Sequence, residues 1–575
     1  MKAKFAVLLA GTLILASCAK DAPAPPAQAS AASAEFAGFV DEYFDAAFRY
    51  SPSWATYVGI HDYDRQLNER SREAIEARIA QLHGYLDLLM EIDRAQLSFD
   101  EQIDADALEM SIRGQLLEIE TIRSWESNPM SYVWIPGGAV DGLVKRDFAP
   151  AAERLASVTS RLRQVPSVYA AARANLKNPP REFTDLAIRM SRGSVGYLEN
   201  TLAAWAQQAA GEDAALLADF TSANAGAVAA AKSFSDWLEN DLLPRSKGSF
   251  AIGADNFAKK LLYDEMIDMP LAQVLAIGEA QLDKDYQDFI DTAKQIDPAR
   301  TPAEVMRSLS DDHPTAEDLI PSVRRTVEAA RQFVVDHDLV TIPTEVRVQV
   351  EETPPYARSG SFASMSTPGP YETKATETYY YVTPVEPSWD AKHAEQHLRL
   401  YNPYVVAMIN VHEAYPGHYL QFLHKQRLKS KVRKLTGSGT NSEGWAHYVE
   451  QMMLEQGFGG GDPKYRLGQL QEALLRDCRY VAGIRMHAEG WTVDRAAKEL
   501  FVDRCFQEPA NAYEEARRGA YNPTYLYYTL GKIEVQKLRD EYMQKKGASL
   551  KQFHDAFMAE GTLPIPLVRR ILLER

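Results

Sequence analysis

The sequence predicts a large, mainly α protein carrying one small β-sheet immediately before its most unusual motif. Three observations lead there. Apolar residues recur at three and four positions through most of residues 35–245, the period of a helix with one buried face. Between 340 and 385 the pattern turns to alternation and aromatic runs, which suit strands. Helical periodicity then resumes near 389 and continues, with interruptions, to the C-terminus.

The chain opens with Lys2 and Lys4 ahead of the apolar run FAVLLAGTLILA, too short for a confident membrane span and of the length of a signal-peptide core. The run ends in LASC, which resembles the bacterial lipobox. Residues 1–18 therefore read as a lipoprotein signal peptide, with Cys18 becoming the lipidated first residue of the mature chain. Ordinary cleavage that leaves Cys18 as a free thiol is the alternative. Residues 19–34, rich in Ala, Pro and Ser, read as an extended tether. The expected location is the bacterial cell envelope, lipid-anchored, on the periplasmic side or at the outer membrane.

From residue 35, Phe36, Phe39, Val40, Tyr43, Phe44, Ala47 and Phe48 line one helix face before SPS at 51–53 stops it. Further helices are expected at about 70–93, 100–124, 150–175, 183–209 and 212–240, without the fixed period of a solenoid. These make a helical half, 35–245, of a body spanning 35–575. The second half, 246–575, contains TEVRVQVEE, a Gly/Pro/Ser-rich loop and the extended ETYYYVTPV, followed by the helices of the candidate site.

Length alone would allow about four domains. With 46% hydrophobic and 25% charged residues the composition is that of a globular protein. A net charge of -16 argues against a nucleic-acid partner, which needs clustered Lys and Arg. Oligomeric state is not legible. Cys478 and Cys505 are the remaining cysteines; in an oxidising compartment they could pair, or stay as two buried thiols.

Seven of the twelve histidines fall between 393 and 487, which picks out the region for chemistry. INVHEAYPGHYLQ, 409–421, begins like a zinc-peptidase helix, but proline stands where the second histidine belongs. On a regular helix His412 and His418 would lie roughly 120° apart and could not share an ion. A kink or bulge at Pro416-Gly417 would rotate His418 back towards His412. A catalytic site needs a third ligand. In SEGWAHYVEQ, Asn441 or Ser442 can cap a helix that places Glu443, His447 and Glu450 on one face, in surroundings made apolar by Trp445, Ala446, Met452 and Met453.

HEAYPGHYLQ, EGWAHYVEQ, RMHAEGWTVDRAA (485–497) and YLYYTLGKIEVQKLR (525–539) in this order resemble the bacterial family known as domain of unknown function 885. SPSWATYVGIHDYD (51–64) resembles its N-terminal pattern. That family is grouped with gluzincin-type zinc metallopeptidases. The resemblance implies a helical metallopeptidase-like fold with the sheet beside the metal-binding helix, His412, His418 and Glu443 as Zn2+ ligands, and Glu413 as general base. The 24 residues between His418 and Glu443 are similar to the corresponding separation in helical carboxypeptidases and dipeptidyl carboxypeptidases. Tyr419 stands where the family often has a further histidine.

The implied reaction is hydrolysis of small peptides by zinc-activated water, with Glu413 moving the proton. Tyr528 and His487 are the candidate oxyanion donors, with Tyr525 in reserve. His447 and Glu450 are expected to orient ligands. Tyr380 and Tyr381, in a strand expected to pair with extended substrate, and Arg518 complete the substrate-binding set.

Rival readings are weaker. HAEQH (393–397) spaces two histidines correctly but lacks the adjacent glutamate, so it reads as a surface pair. KQRLKSKVRK (425–434) reads as a solvated basic face or, alternatively, a lipid or substrate patch. QGFGGGD (456–462) reads as a helix end and turn, and no GxSxG elbow occurs. The competing function is a non-catalytic envelope lipoprotein that binds peptides or cell-wall fragments; the glutamate beside a metal ligand argues against it.

Overall fold

The computed structural model describes residues 30–353, 363–387 and 389–575. Cys18 and the tether up to residue 29 lie outside the described residues. The body is mainly helical. Its first helix, Ala31–Tyr50, starts where Ser30 accepts a hydrogen bond from the Ser33 amide, and every apolar residue expected on its inner face is buried. Ser51 ends it and Pro52 opens the next, Pro52–Val58. Helices Arg72–Glu91, Phe99–Leu116, Ala151–Asn175, Arg181–Gly196 and Ala214–Trp237 lie close to the expected spans. Met130–Lys145 is a helix that periodicity did not reveal, because Pro136, Gly137 and Gly138 interrupt the pattern inside it. Its burial is what compensates the proline.

The expected division at 245 is not how the molecule packs. Two apolar cores are present. One combines residues from 32–116, 319–453 and 535–572; the other combines 130–309 and 467–530. Apart from Leu67, Ala375 and Tyr404, the chain passes from one core to the other four times. The Cys478–Cys505 disulfide is formed within the second core, which settles the open question about these thiols.

Three short strands make one sheet: β1 (Gln349–Glu352), β2 (Ala363–Ser366) and β3 (Tyr379–Val382). Their order is β1-β3-β2, with β3 parallel to β1 and antiparallel to β2. The strand ETYYYVTPV therefore lies in the middle, both its edges already hydrogen-bonded, and cannot accept a peptide as a further strand. Tyr380 is buried in the first core, and Tyr381, on the opposite face, stacks on Tyr379 with ring centroids 5.6 Å apart. Neither takes the substrate-facing place expected of it.

Candidate metal centre

The first histidine helix, Pro403–Glu413, begins where the Asn402 side chain accepts from the Val405 amide, and proline occupies its first turn. It is surrounded by other helices, so Val405, Val406, Met408 and Val411 are all buried. The helix does not bulge at Pro416-Gly417, as the sequence suggests; it stops at Glu413, and a second helix starts at His418 and runs to Gln426. The Tyr415–Pro416 peptide between them is cis.

The break is held from the side. Trp445 Nε1 donates to the Pro416 carbonyl at 2.9 Å, and Gln421 Nε2 donates to Asn441 Oδ1 at 2.8 Å. Both acceptor and donor partners belong to the region of the helix Gly439–Glu455, which carries Glu443. Its cap is neither Asn441 nor Ser442 but Ser438, whose Oγ accepts from the Asn441 amide. Buried Glu265 reinforces the same end by accepting from the amides of Gly439 and Thr440, an anion at a helix N-terminus.

These constraints bring His412, His418 and Glu443 together, with one donor atom from each within 4.8 Å of the others. Glu443 Oε2 sits 3.3 Å from His412 Nε2 and 3.2 Å from His418 Nε2. Glu450 Oε1 lies 2.7 Å from His412 Nδ1 and its other oxygen 3.2 Å from His447 Nδ1. An Nδ1–H donated to Glu450 leaves the Nε2 lone pair of His412 facing Glu443 and His418, the arrangement that suits a metal ligand. Burial opposes charge on His412, yet its two carboxylate neighbours outweigh that and push its pKa up to about 9. His447 goes the other way, to about 3, because of burial and then the Lys532 charge.

Glu413 borders the cavity next to this cluster, and its carboxylate has no hydrogen bond or ion pair among the described residues. Tyr528 lines the same cavity, its ring 6.3 Å from that of His412. Two cations that sequence reasoning missed hold the ring: the guanidiniums of Arg476 and Arg479 lie 5.5 and 5.6 Å from its centre. Arg476 also reaches Glu450 Oε1 at 3.4 Å. The signal was present, in two arginines three apart within the largely buried helix Pro463–Ala488, but only a partner across the cavity gives that spacing a meaning.

His487 and Tyr525 do not join the site. His487 borders a separate cavity; its Nε2 donates to the Gly519 carbonyl at 2.8 Å, and burial holds its pKa down to about 4. Tyr525 is fully buried, with its hydroxyl directed to the Glu515 carbonyl. Both residues are buried with satisfied polar atoms. Tyr419 likewise donates to the Val346 carbonyl, away from the cluster. His397 bonds the Thr383 carbonyl and His393 stacks on Trp389, so HAEQH is no second centre. The basic stretch is not a free patch either: Arg433 is buried against Asp104, Asp100 and Glu560.

The cavity measures about 740 Å³. The metal-cluster helices belong to the first core, whereas Arg476, Arg479 and the residues flanking Tyr528 belong to helices of the second. Residues Ala363, Ser364, Met365 and Thr367, on and after β2, form another part of the wall. β2 is one of the two outer strands of the sheet.

Fold and site together define a helical protein with a His-His-Glu donor cluster in a cleft between two cores. The chain belongs to the family "Bacterial protein of unknown function (DUF885)", whose profile matches residues 52–572. A "putative lipoprotein of unknown function" from Shewanella oneidensis is similar, with 29% identity, a TM-score of 0.79, and coverage of 94% of this chain and 99% of that one. A "putative lipoprotein" from Colwellia psychrerythraea shares the fold at 17% identity, with a TM-score of 0.81 and coverage of 95% and 99%. No functionally curated protein matches.

Proposed function

We propose that the protein is a metal-dependent peptidase acting on short peptides at the bacterial envelope. The observation that carries this reading is an unpaired carboxylate, Glu413, in an open cavity beside two imidazoles and a carboxylate that converge on one point. The donor set fits a divalent cation. A buried imidazole pinched between two carboxylates calls for positive charge, and His, His and Glu suit zinc as well as other divalent ions. His412, His418 and Glu443 would hold the ion. When bound, it supplies Lewis acidity towards a substrate carbonyl and towards water.

The chain's own groups do the remaining work. A Glu413 oxygen takes the proton of the attacking water and returns it to the leaving nitrogen. The Tyr528 hydroxyl donates to the carbonyl oxygen as negative charge develops there; its pKa is raised by burial and then by Glu443, so it stays protonated. Glu450 keeps His412 in the required tautomer. Extended substrate lies along the part of the cavity wall that β2 contributes rather than along β3, which is enclosed between its two neighbours.

A cavity of about 740 Å³ lies within the roughly 300–1,000 Å³ range of small-ligand sites, which favours short peptides over folded proteins. Lipid anchoring through Cys18 is part of the same reading, supported by the description of both structural relatives as lipoproteins. The formed disulfide is in keeping with an oxidising compartment.

The test is metal analysis together with digestion of a mixed peptide library read by mass spectrometry. Glu413→Gln is expected to keep its metal and lose turnover by about 10²–10⁴-fold. Metal retained with no hydrolysis by either protein would leave the binding-lipoprotein alternative in its place.

A further inference from the structure

The cleft mixes both signs of charge, with Glu413, Glu443 and Glu472 in its wall. Four basic side chains line it: Lys425, Arg476, Arg479 and Arg518. Three of them are committed to the protein. Arg476 pairs with Glu472 at 2.8 Å as well as with Glu450. Arg479 is gripped by Glu515 through two bonds of 2.7 and 2.8 Å. Lys425 donates to Thr562 Oγ1 at 2.8 Å and to the Thr436 carbonyl at 3.0 Å.

Arg518 differs. It is half-buried on the helix Pro509–Tyr521, and its guanidinium has no hydrogen bond or ion pair among the described residues. Its charge is felt by the phenols of Tyr527 and Tyr528, so it stands near the wall that faces the metal cluster. A half-desolvated guanidinium is normally matched by a carboxylate, and here the neighbouring acids are already spent: Glu515 on Arg479, Glu472 and Glu450 on Arg476, and Glu443 on the histidines.

Resting on the peptidase reading, we infer that Arg518 is the anchor for a carboxylate of the substrate, making the site selective for anionic peptides. The planar fork of arginine binds a carboxylate through two parallel bonds and so fixes orientation as well as position. The carboxylate has two sources, the C-terminus of the peptide or an acidic side chain. Every unblocked peptide carries a C-terminal carboxylate, which makes it the first source to examine.

Binding tests this without requiring turnover. Zinc-loaded Glu413→Gln protein is titrated calorimetrically with a tripeptide as free acid and as C-terminal amide, and with amidated tripeptides containing Glu or Gln. At least tenfold tighter binding of the acid over the amide identifies the C-terminus. The same preference for Glu over Gln identifies a side chain. Either preference should fall towards one in Glu413→Gln/Arg518→Gln and recover in part in Glu413→Gln/Arg518→Lys. Equal binding of all four peptides, no binding, or a preference that Arg518→Gln leaves intact would overturn the anchor. Hydrolysis separates the two readings: wild-type protein that cuts all four peptides alike keeps the peptidase and loses the anchor, whereas carboxylate-selective binding without any hydrolysis keeps the anchor and loses the peptidase.

Discussion

Gly417 packs so tightly on the end of the helix before it that a Cβ there would run into the His412 and Val411 carbonyls. This close approach gives the PGH sequence its physical sense: with the helix stopped at Glu413, only a glycine lets the chain double back far enough for the next residue to face the first histidine. Gly417→Ala is therefore expected to spread the two imidazoles and, on the proposed function, to lower the metal content measured after dialysis, with a modest fall in melting temperature. A variant that keeps full metal occupancy would show that the tight turn is not what unites the ligands. Glu413 and Arg518 share a different trait, charged groups left unpaired at the cavity wall among the described residues, and their roles follow from that lack of internal partners.

At the level of elements, the helices Gly439–Glu455 and Tyr527–Lys546 touch backbone to backbone, because Gly444 and Gly531 face each other with no room for a Cβ on either. That contact sets how closely Glu443, next to one glycine, approaches Tyr528, three residues before the other. Gly444→Ala should push the helices apart, destabilising the protein by about 1–3 kcal/mol as overpacking does. It should also lower turnover more than it lowers metal affinity, since Tyr528 moves relative to the cluster while the histidines stay. Equal losses in both would mean that the helix pair supports the fold alone. The sheet teaches a related lesson. Alternation and aromatic content marked β3 as a strand, but its place in the middle of the sheet depends on pairings that no local pattern encodes.

Across the whole molecule, long-range ties join segments far apart in the chain. His554 is buried between the Leu339 carbonyl, to which its Nδ1 donates at 2.7 Å, and the Tyr448 hydroxyl, which lies 2.9 Å from Nε2. Burial holds its pKa down to about 4, against about 6.5 in an unfolded chain. Between those values the unfolded state binds more protons than the folded one, so stability rises with pH. It is complete above about pH 6.5 and is lost as pH falls towards 4, by roughly 3 kcal/mol for this residue. Denaturant unfolding at pH 7 and pH 4.5 should show that loss, and His554→Gln should flatten its share. An unfolding midpoint of the variant with the same pH dependence as wild type would exclude His554 as a contributor.

The amino-acid sequence by itself determined the helical class and the strand region before the motif, and it singled out the two histidines of the motif with Glu413 beside the first. Each of these depends on local periodicity or on residue types at short spacing, which a chain displays before it folds. Only the tertiary structure decided that the helix breaks instead of bulging, that two cores interleave along the chain, that His487 and Tyr525 belong to packing, and that Arg476, Arg479 and an unpaired Arg518 face the cluster. Those facts rest on which side chains meet across a cleft between distant segments. Whether a polar atom is satisfied or left open is a property of the neighbours that folding supplies, not of the residue that bears it.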